Sequence, residues 1–187
     1  MTVRILRAAG RAATPWKNGG GVTREIAAWP EGAGMDGFAW RVSLADVGAD
    51  GPFSVFPGVT RVLTVADGAG MELTAGGVAL RADERFVPHR FAGDVPTHGR
   101  LLGGPVVNFN VMYREALTDA LTSVVRGSLA VAVPPEATVL VVALDGAAVL
   151  EDTGDALGPY DAAVVTGESP GVLRAEGHTA LVTLRSR

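Results

Sequence analysis

The chain has 187 residues, 48% of them hydrophobic, with 16 basic and 20 acidic side chains giving a formal charge of -4, and no cysteine. A net-negative chain with scattered basic residues lacks the positive field that draws nucleic acid or an acidic membrane surface, and its apolar content sets it far from the disordered class. Absence of cysteine removes disulfides, thiolate metal sites and a thiol nucleophile, and fits the reducing cytoplasm, the expected location.

No stretch approaches the roughly 20 apolar residues of a membrane span, and the start MTVRILRAAGRAATPW has no apolar run long enough for a secretory signal, so a soluble, unexported protein is expected. Gly and Pro interrupt the chain every several residues, and the intervals between them are short, rich in Val, Leu and Thr, and lack a helical period. This predicts strands, in order, at residues 21–29, 38–45, 60–66, 107–114, 128–133, 138–144, 162–166 and 179–185. Residues 116–126 read two ways: Leu117, Leu121 and Val124 keep a helical spacing, whereas the Thr, Ser and Val content suits a strand. Many short strands separated by turns predict an all-β sandwich or barrel with little helix.

An internal comparison refines this. RVLTVADGAG from Arg61 and VLVVALDGAA from Val139 both run a β-rich segment into Asp-Gly-Ala, and the 78-residue offset between Asp67 and Asp145 also lays Gly76 on Gly154 and Gly93 on Gly171. The expected architecture is two β-barrels in tandem, residues 1–115 and 116–187, tightly packed as one unit. The halves differ in chemistry. The first carries all three Trp and the only Lys, whereas the second is mostly Ala, Val, Leu and Gly and reads as a structural partner.

Polar function is densest in PWKNGGGVTREI, residues 15–26. Three glycines expose backbone amides beside Lys17 and Asn18, which suits either a flexible turn or a ligand contact; a phosphate loop would place the Lys after the glycines, not before them. Lys17 draws attention because the other 15 basic residues are all Arg. In the strand that follows, alternation sets Arg24 apart from Glu25, and in the next strand, 38–45, it puts Arg41 with Ser43 on a face opposite Trp40, a face that is either solvated or a pocket wall. Asn108 and Asn110 share a face with Met112 in an apolar strand, where Asn is disfavoured, so they either bond a neighbouring loop or line a pocket. His89, His98 and His178 are isolated, each expected in a loop or at the surface, and no His-x-His pair or Gly-x-Ser-x-Gly elbow occurs. Neither a metal nor another cofactor is expected.

The blocks PWKNGGGVTREI, WRVSLADV, GPFSVFPGVTRVLTV, FAGDV and NFNVMYR resemble, in order, the signatures of the HutD/Ves family, bacterial proteins linked to histidine utilisation. The resemblance implies a bicupin, a two-barrel jelly-roll version of the cupin fold without the His-rich metal motif of catalytic cupins. It further implies a regulatory protein that binds a small acidic metabolite, N-formylglutamate being the candidate ligand. Its pocket positions would be Lys17, Asn18, Thr23, Arg24, Glu25, Trp40, Arg41, Ser43, Arg61, Asn108 and Asn110. Against the family pattern, this chain has Asn108 where Asp is expected and Glu115 where Arg is expected.

The leading expectation is thus a metal-free binding protein in which Arg41 or Arg24 forks onto a carboxylate, Lys17 adds charge and the asparagines read an amide or formyl group. The alternative is a cofactor-free hydrolase, lyase or isomerase with Lys17 or Glu25 as acid or base. A third reading is a purely structural or interaction module, and unpaired sheet edges make a homodimer an expectation.

Overall fold

A computed structural model describes residues 2–167 and 171–187. Among these residues there is no helix, and therefore none long and apolar enough to cross a membrane. The chain opens with β1 (Thr2–Leu6), followed by β2 (Thr14–Pro15), β3 (Gly21–Trp29), β4 (Trp40–Val47), β5 (Gly51–Phe53), β6 (Val59–Asp67), β7 (Met71–Ala75), β8 (Val78–Ala82), β9 (Pro88–Ala92), β10 (Thr97–Leu101) and β11 (Val106–Arg114). The remaining strands are β12 (Thr118–Val131), β13 (Ala137–Ala143), β14 (Ala148–Leu150), β15 (Asp155–Leu157), β16 (Ala162–Thr166) and β17 (Gly171–Ser186). The ambiguous segment 116–126 is thus strand from Thr118 onward, where β-branched side chains favour the pleat and pairing with β17 supplies backbone partners.

The strands divide into two compact units, residues 12–117 and residues 1–11 with 118–187. In the 12–117 unit a six-stranded antiparallel sheet runs in the order β2-β3-β4-β11-β6-β9, and a four-stranded sheet in the order β5-β10-β7-β8. The two sheets share one apolar core, to which the larger contributes Ala45, Val47, Leu63, Val65, Phe91 and Val106 and the smaller Met71, Leu73 and Ala82. Strand β6 is buried at every position from Val59 to Ala66, so both of its faces are covered, although Thr60, Arg61 and Thr64 are polar.

The second unit repeats this wiring. β13 lies between β16 and β17 as β6 lies between β9 and β11, and β14 pairs with β15 and β17 as β7 pairs with β8 and β10. Long β12 runs along β17 as β4 and β5 run along β11 and β10, and it breaks register between Val125 and Gly127, where the same offset places the gap between β4 and β5. The turn glycines of the repeat take the left-handed conformation in both units: φ is 96° at Gly68 and 65° at Gly146, 54° at Gly76 and 72° at Gly154.

Residues 1–11, expected in the first barrel, instead join the second unit. The physical cause is twofold. β1 pairs with β16 from Thr2↔Thr166 to Leu6↔Ala162, and the Asp161 carboxylate then clasps the segment after it, accepting from the Arg7 guanidinium at 2.8 Å and from the Ala8 amide at 2.7 Å. Burial alone would raise the Asp161 pKa, but the amides of Ala8 and Gly158 and the Arg7 guanidinium outweigh it and hold the carboxyl below its ordinary range. A carboxyl depressed in the folded state contributes stability above the usual carboxylate pKa and loses it as pH falls through the folded value. Asp161→Asn is therefore expected to lower unfolding free energy by about 1–3 kcal/mol at neutral pH and to flatten the acid limb of the stability curve. Urea titrations between neutrality and pH 3 measure both; parallel acid limbs for the two proteins would count against this role for Asp161.

Candidate ligand-binding site

Register decides which side chains meet. On β11, Asn108, Asn110 and Met112 lie opposite Ala45, Ser43 and Arg41 of β4 and opposite Val65, Leu63 and Arg61 of β6. β3 adds Thr23 opposite Ala45 and Glu25 opposite Ser43, and β9 adds His89 opposite Leu63 and Phe91 opposite Arg61. Residues directly opposite each other share a face, and Ala45, Leu63, Val65 and Phe91 of this set belong to the core shared with the small sheet, while Met112 packs in a separate cluster with Phe38 and Val59. The set is therefore the inner face of the 12–117 unit. It carries Thr23, Glu25, Arg41, Ser43, Arg61, His89, Asn108 and Asn110.

Arg61 dominates this interior. It is 9% exposed, and its guanidinium stacks on three rings, 4.9 Å from the Phe53 centroid, 6.0 Å from Phe56 and 5.4 Å from Phe91. Its one hydrogen bond among the described residues is a long one, from Nη1 to the Ser54 carbonyl at 3.4 Å, and its buried Nε has no partner. Among the described residues no carboxylate forms an ion pair with it. Burial, with a smaller contribution from the like charge of Arg41, lowers its pKa from the ordinary guanidinium value to about 10. The aromatic rings favour a cation, yet desolvating a guanidinium without an anion is costly. At the corresponding repeat position the second unit carries Val139, 2% exposed and packed in that unit's hydrophobic cluster, so the barrel itself does not require an arginine there.

Along the same inner face the other polar groups are only partly satisfied. Arg41, its side chain 11% exposed, donates from Nε to Glu25 Oε2 at 2.6 Å. Asn108 donates to the Met71 sulfur at 3.2 Å, a weak acceptor, and its buried Oδ1 accepts from no group. Asn110 donates to the Asn108 carbonyl at 3.3 Å. His89 Nε2 is buried without a partner. Buried polar atoms are paired in the great majority of cases, so three orphans on one inner face indicate groups awaiting a ligand or water.

The remaining expected positions lie elsewhere. Lys17 and Asn18 are exposed on the turn between β2 and β3, where Asn18 Oδ1 accepts from the Gly20 amide at 3.0 Å and shapes the turn. Trp16, not Lys17, points inward: its ring packs edge-on to Phe53 and its Nε1 donates to Thr23 Oγ1 at 2.7 Å. Arg24 and Trp40 belong to the opposite face of the large sheet, Arg24 in an ion pair with Asp46 and Trp40 opposite Tyr113 and Trp29. A β-bulge at Ile26 breaks the alternation after Glu25, so Ala27 pairs with Val42 and leaves the Glu25 face, contrary to the simple period. Glu115, expected as a departure in the pocket, accepts instead from Thr60 Oγ1 at 2.7 Å and from Arg90.

The histidines correct an expectation. All three lie in strands rather than loops; His98 is exposed, but His178 is bonded to Asp145 and His89 sends Nε2 into the core. Pro88 at the head of β9 disguised that strand as a turn. Its signal was the alternation Pro88-His89-Arg90-Phe91, with His89 and Phe91 on one side. Among the described residues no three His, Asp or Glu side chains gather as a metal site, and an interior lined by two guanidiniums is a poor donor set for a divalent cation.

These two all-β units, one with a cation-bearing interior, make a cupin-like fold. The HutD family model matches residues 8–183, and the chain belongs to that family, which is associated with histidine utilisation. Its structure is similar over the full length of both chains to HutD from Pseudomonas fluorescens SBW25 (TM-score 0.89, 35% identity). It is also similar, again over 100% of each chain, to a conserved protein of unknown function from Pseudomonas aeruginosa PAO1 (TM-score 0.82, 30% identity). Bacterial pirin YhhW from Escherichia coli shares the fold alone, at TM-score 0.72 and 9% identity over 99% of each chain. In sequence, 59% of this chain matches 58% of an uncharacterised 21.2 kDa protein from the hutC 3′ region of Pseudomonas putida at 42% identity, and 54% of it matches 54% of protein Ves from Cronobacter sakazakii at 39%. The chain thus spans little more than half the length of these curated relatives.

Proposed function

We propose that the interior of the 12–117 unit binds a small carboxylate, and that the protein is a metal-free ligand-responsive regulator in histidine utilisation. The observation that carries this reading is Arg61: a cation buried among three aromatic rings with no anion paired to it among the described residues. A bound carboxylate would supply the missing charge and accept from the guanidinium fork, with Arg41 a second cation nearby and His89 and Asn108 polar groups further along the same face. The related Pseudomonas fluorescens structure is described as a formate condition, formate being the smallest carboxylate. N-formylglutamate, which joins carboxylates to a formyl group, is the candidate physiological ligand, and the cytoplasm is where it would be met. The alternative of a cofactor-free hydrolase has weaker support, because Glu25 is engaged by Arg41 and Lys17 stands outside the interior.

Thermal unfolding with formate, glutamate and N-formylglutamate tests the reading. A ligand at about one hundred times its Kd stabilises by roughly 2.7 kcal/mol, which for a chain of this size raises Tm by roughly 5–10 °C. Absence of a shift with all three compounds would reject the carboxylate site.

A further inference from the structure

The repeat leaves one strand position empty. In the 12–117 unit, β4 is hydrogen-bonded to β11 on one side and to β3 on the other. Its counterpart in the second unit, the first half of β12, is bonded to β17 alone among the described residues, and no strand of that unit takes the place of β3. The chain's other edge strands are short: β1, β8 and β9 have five residues each, β5 and β15 three, and β2 two. β9 is also guarded by Pro88 and Arg90. β12 has 14 residues and neither Pro nor charge from Ala120 to Val125, and Leu121 in this stretch is 68% exposed. Between Asp119 and the register break after Val125 this edge carries neither Pro nor charge, and such a neutral stretch is a template for another strand.

We infer that β12 is a self-association edge, on which the β12 of a second copy of this chain takes the position that β3 fills beside β4. A two-fold axis through Leu121 gives antiparallel pairing in one continuous sheet and sets residues opposite each other on matching faces. Leu121 then packs on Leu121 of the partner subunit, and Asp119 lies opposite Ser123 of the partner subunit, a hydroxyl donor rather than a like charge. A centre one residue away, at Thr122, would leave Leu121 against a serine and Asp119 against a valine. Pairing along this stretch buries less than the ~1,200 Å² of a standard stable interface, so the dimer is reversible and concentration-dependent.

The native absence of cysteine makes the test clean. Leu121→Cys creates a single thiol whose two-fold mate lies within disulfide reach across an antiparallel pair. Val78→Cys, at a residue 70% exposed on β8, is the control for random collision. Mild oxidation of dilute protein is expected to give a covalent dimer of the first variant and not of the second. Sedimentation over micromolar to millimolar concentration is expected to show the native chain dimerising and Leu121→Lys remaining monomeric with an unchanged Tm. Equal cross-linking of the two cysteine variants, a native chain that stays monomeric throughout, or a Leu121→Lys variant that dimerises as readily would each overturn the assignment.

Discussion

Replacing Arg61 with Met is expected to make the ligand-free protein more stable while abolishing its response to carboxylates. The guanidinium is charged in both the folded and unfolded states at neutral pH, so the full cost of burying it is present there; it is relieved only as pH rises through the folded pKa of about 10. A guanidinium pKa lowered to about 10 corresponds to about 3 kcal/mol of destabilisation. Methionine keeps an unbranched chain against Phe53, Phe56 and Phe91 and removes the charge, the type of exchange that is neutral to about 4 kcal/mol stabilising in buried sites. Denaturant titration reads the gain and thermal unfolding with formate reads the loss. A less stable variant that still shifts with carboxylate would show that Arg61 is structural and that the anion site lies elsewhere.

Gly93→Ala is expected to damage fold and site together. Gly93 follows β9, where its amide donates to the Val59 carbonyl at 2.7 Å and its own carbonyl accepts from the Phe56 amide at 2.7 Å. A Cβ there would sit 2.6 Å from the Val59 carbonyl oxygen, 3.3 Å from Arg61 Cγ and 3.4 Å from the Phe56 carbonyl oxygen. Two of these three contacts are backbone, which cannot swing aside as a side chain can, so β9 must move off β6 and carry Phe91 and the Phe56 loop with it. We expect a loss of about 3–5 kcal/mol, among the larger effects of single substitutions, and a Tm lower by roughly 10 °C. Carboxylate binding should weaken in the fraction that remains folded, because the aromatic enclosure of Arg61 is built by the same contacts. Native-like stability would mean that the clash is absorbed locally.

Local signals made much of the fold legible. Residues 21–29 and 162–166 are strands with the predicted bounds, because β-branched and aromatic runs ended by turn residues carry their own limits. The Asp-Gly-Ala repeat pointed to two units of common wiring, since a turn that demands positive φ leaves glycine as its mark. Strands β1, β2, β5, β7 to β10, β14 and β15 passed unnoticed. They are five residues or shorter, and several hold Gly, Pro or Arg within the run, so their strand character comes from partners distant in the chain rather than from their own composition.

For the site, two-residue alternation correctly grouped Arg41 with Ser43, and Asn108 with Asn110 and Met112. It failed after Glu25, because a bulge at Ile26 is set by the register with β4 and leaves no mark in the β3 sequence. Lys17, prominent as the only lysine, proved to be an exposed turn residue, whereas its neighbour Trp16 reaches the core. Rarity of a residue type is a property of composition; which neighbour turns inward depends on what the turn packs against.

By itself the sequence determined the all-β class, the duplication and the partition of each long strand into two faces, because these depend on local periodicity and turn chemistry. Only the tertiary structure decided which face was covered. A strand has two sides whatever its surroundings, and the choice between solvent and core belongs to the sheet packed opposite. That choice turned Arg61, one of 15 arginines, into a buried cation with no paired anion among the described residues, while the same place in the second unit holds a buried valine.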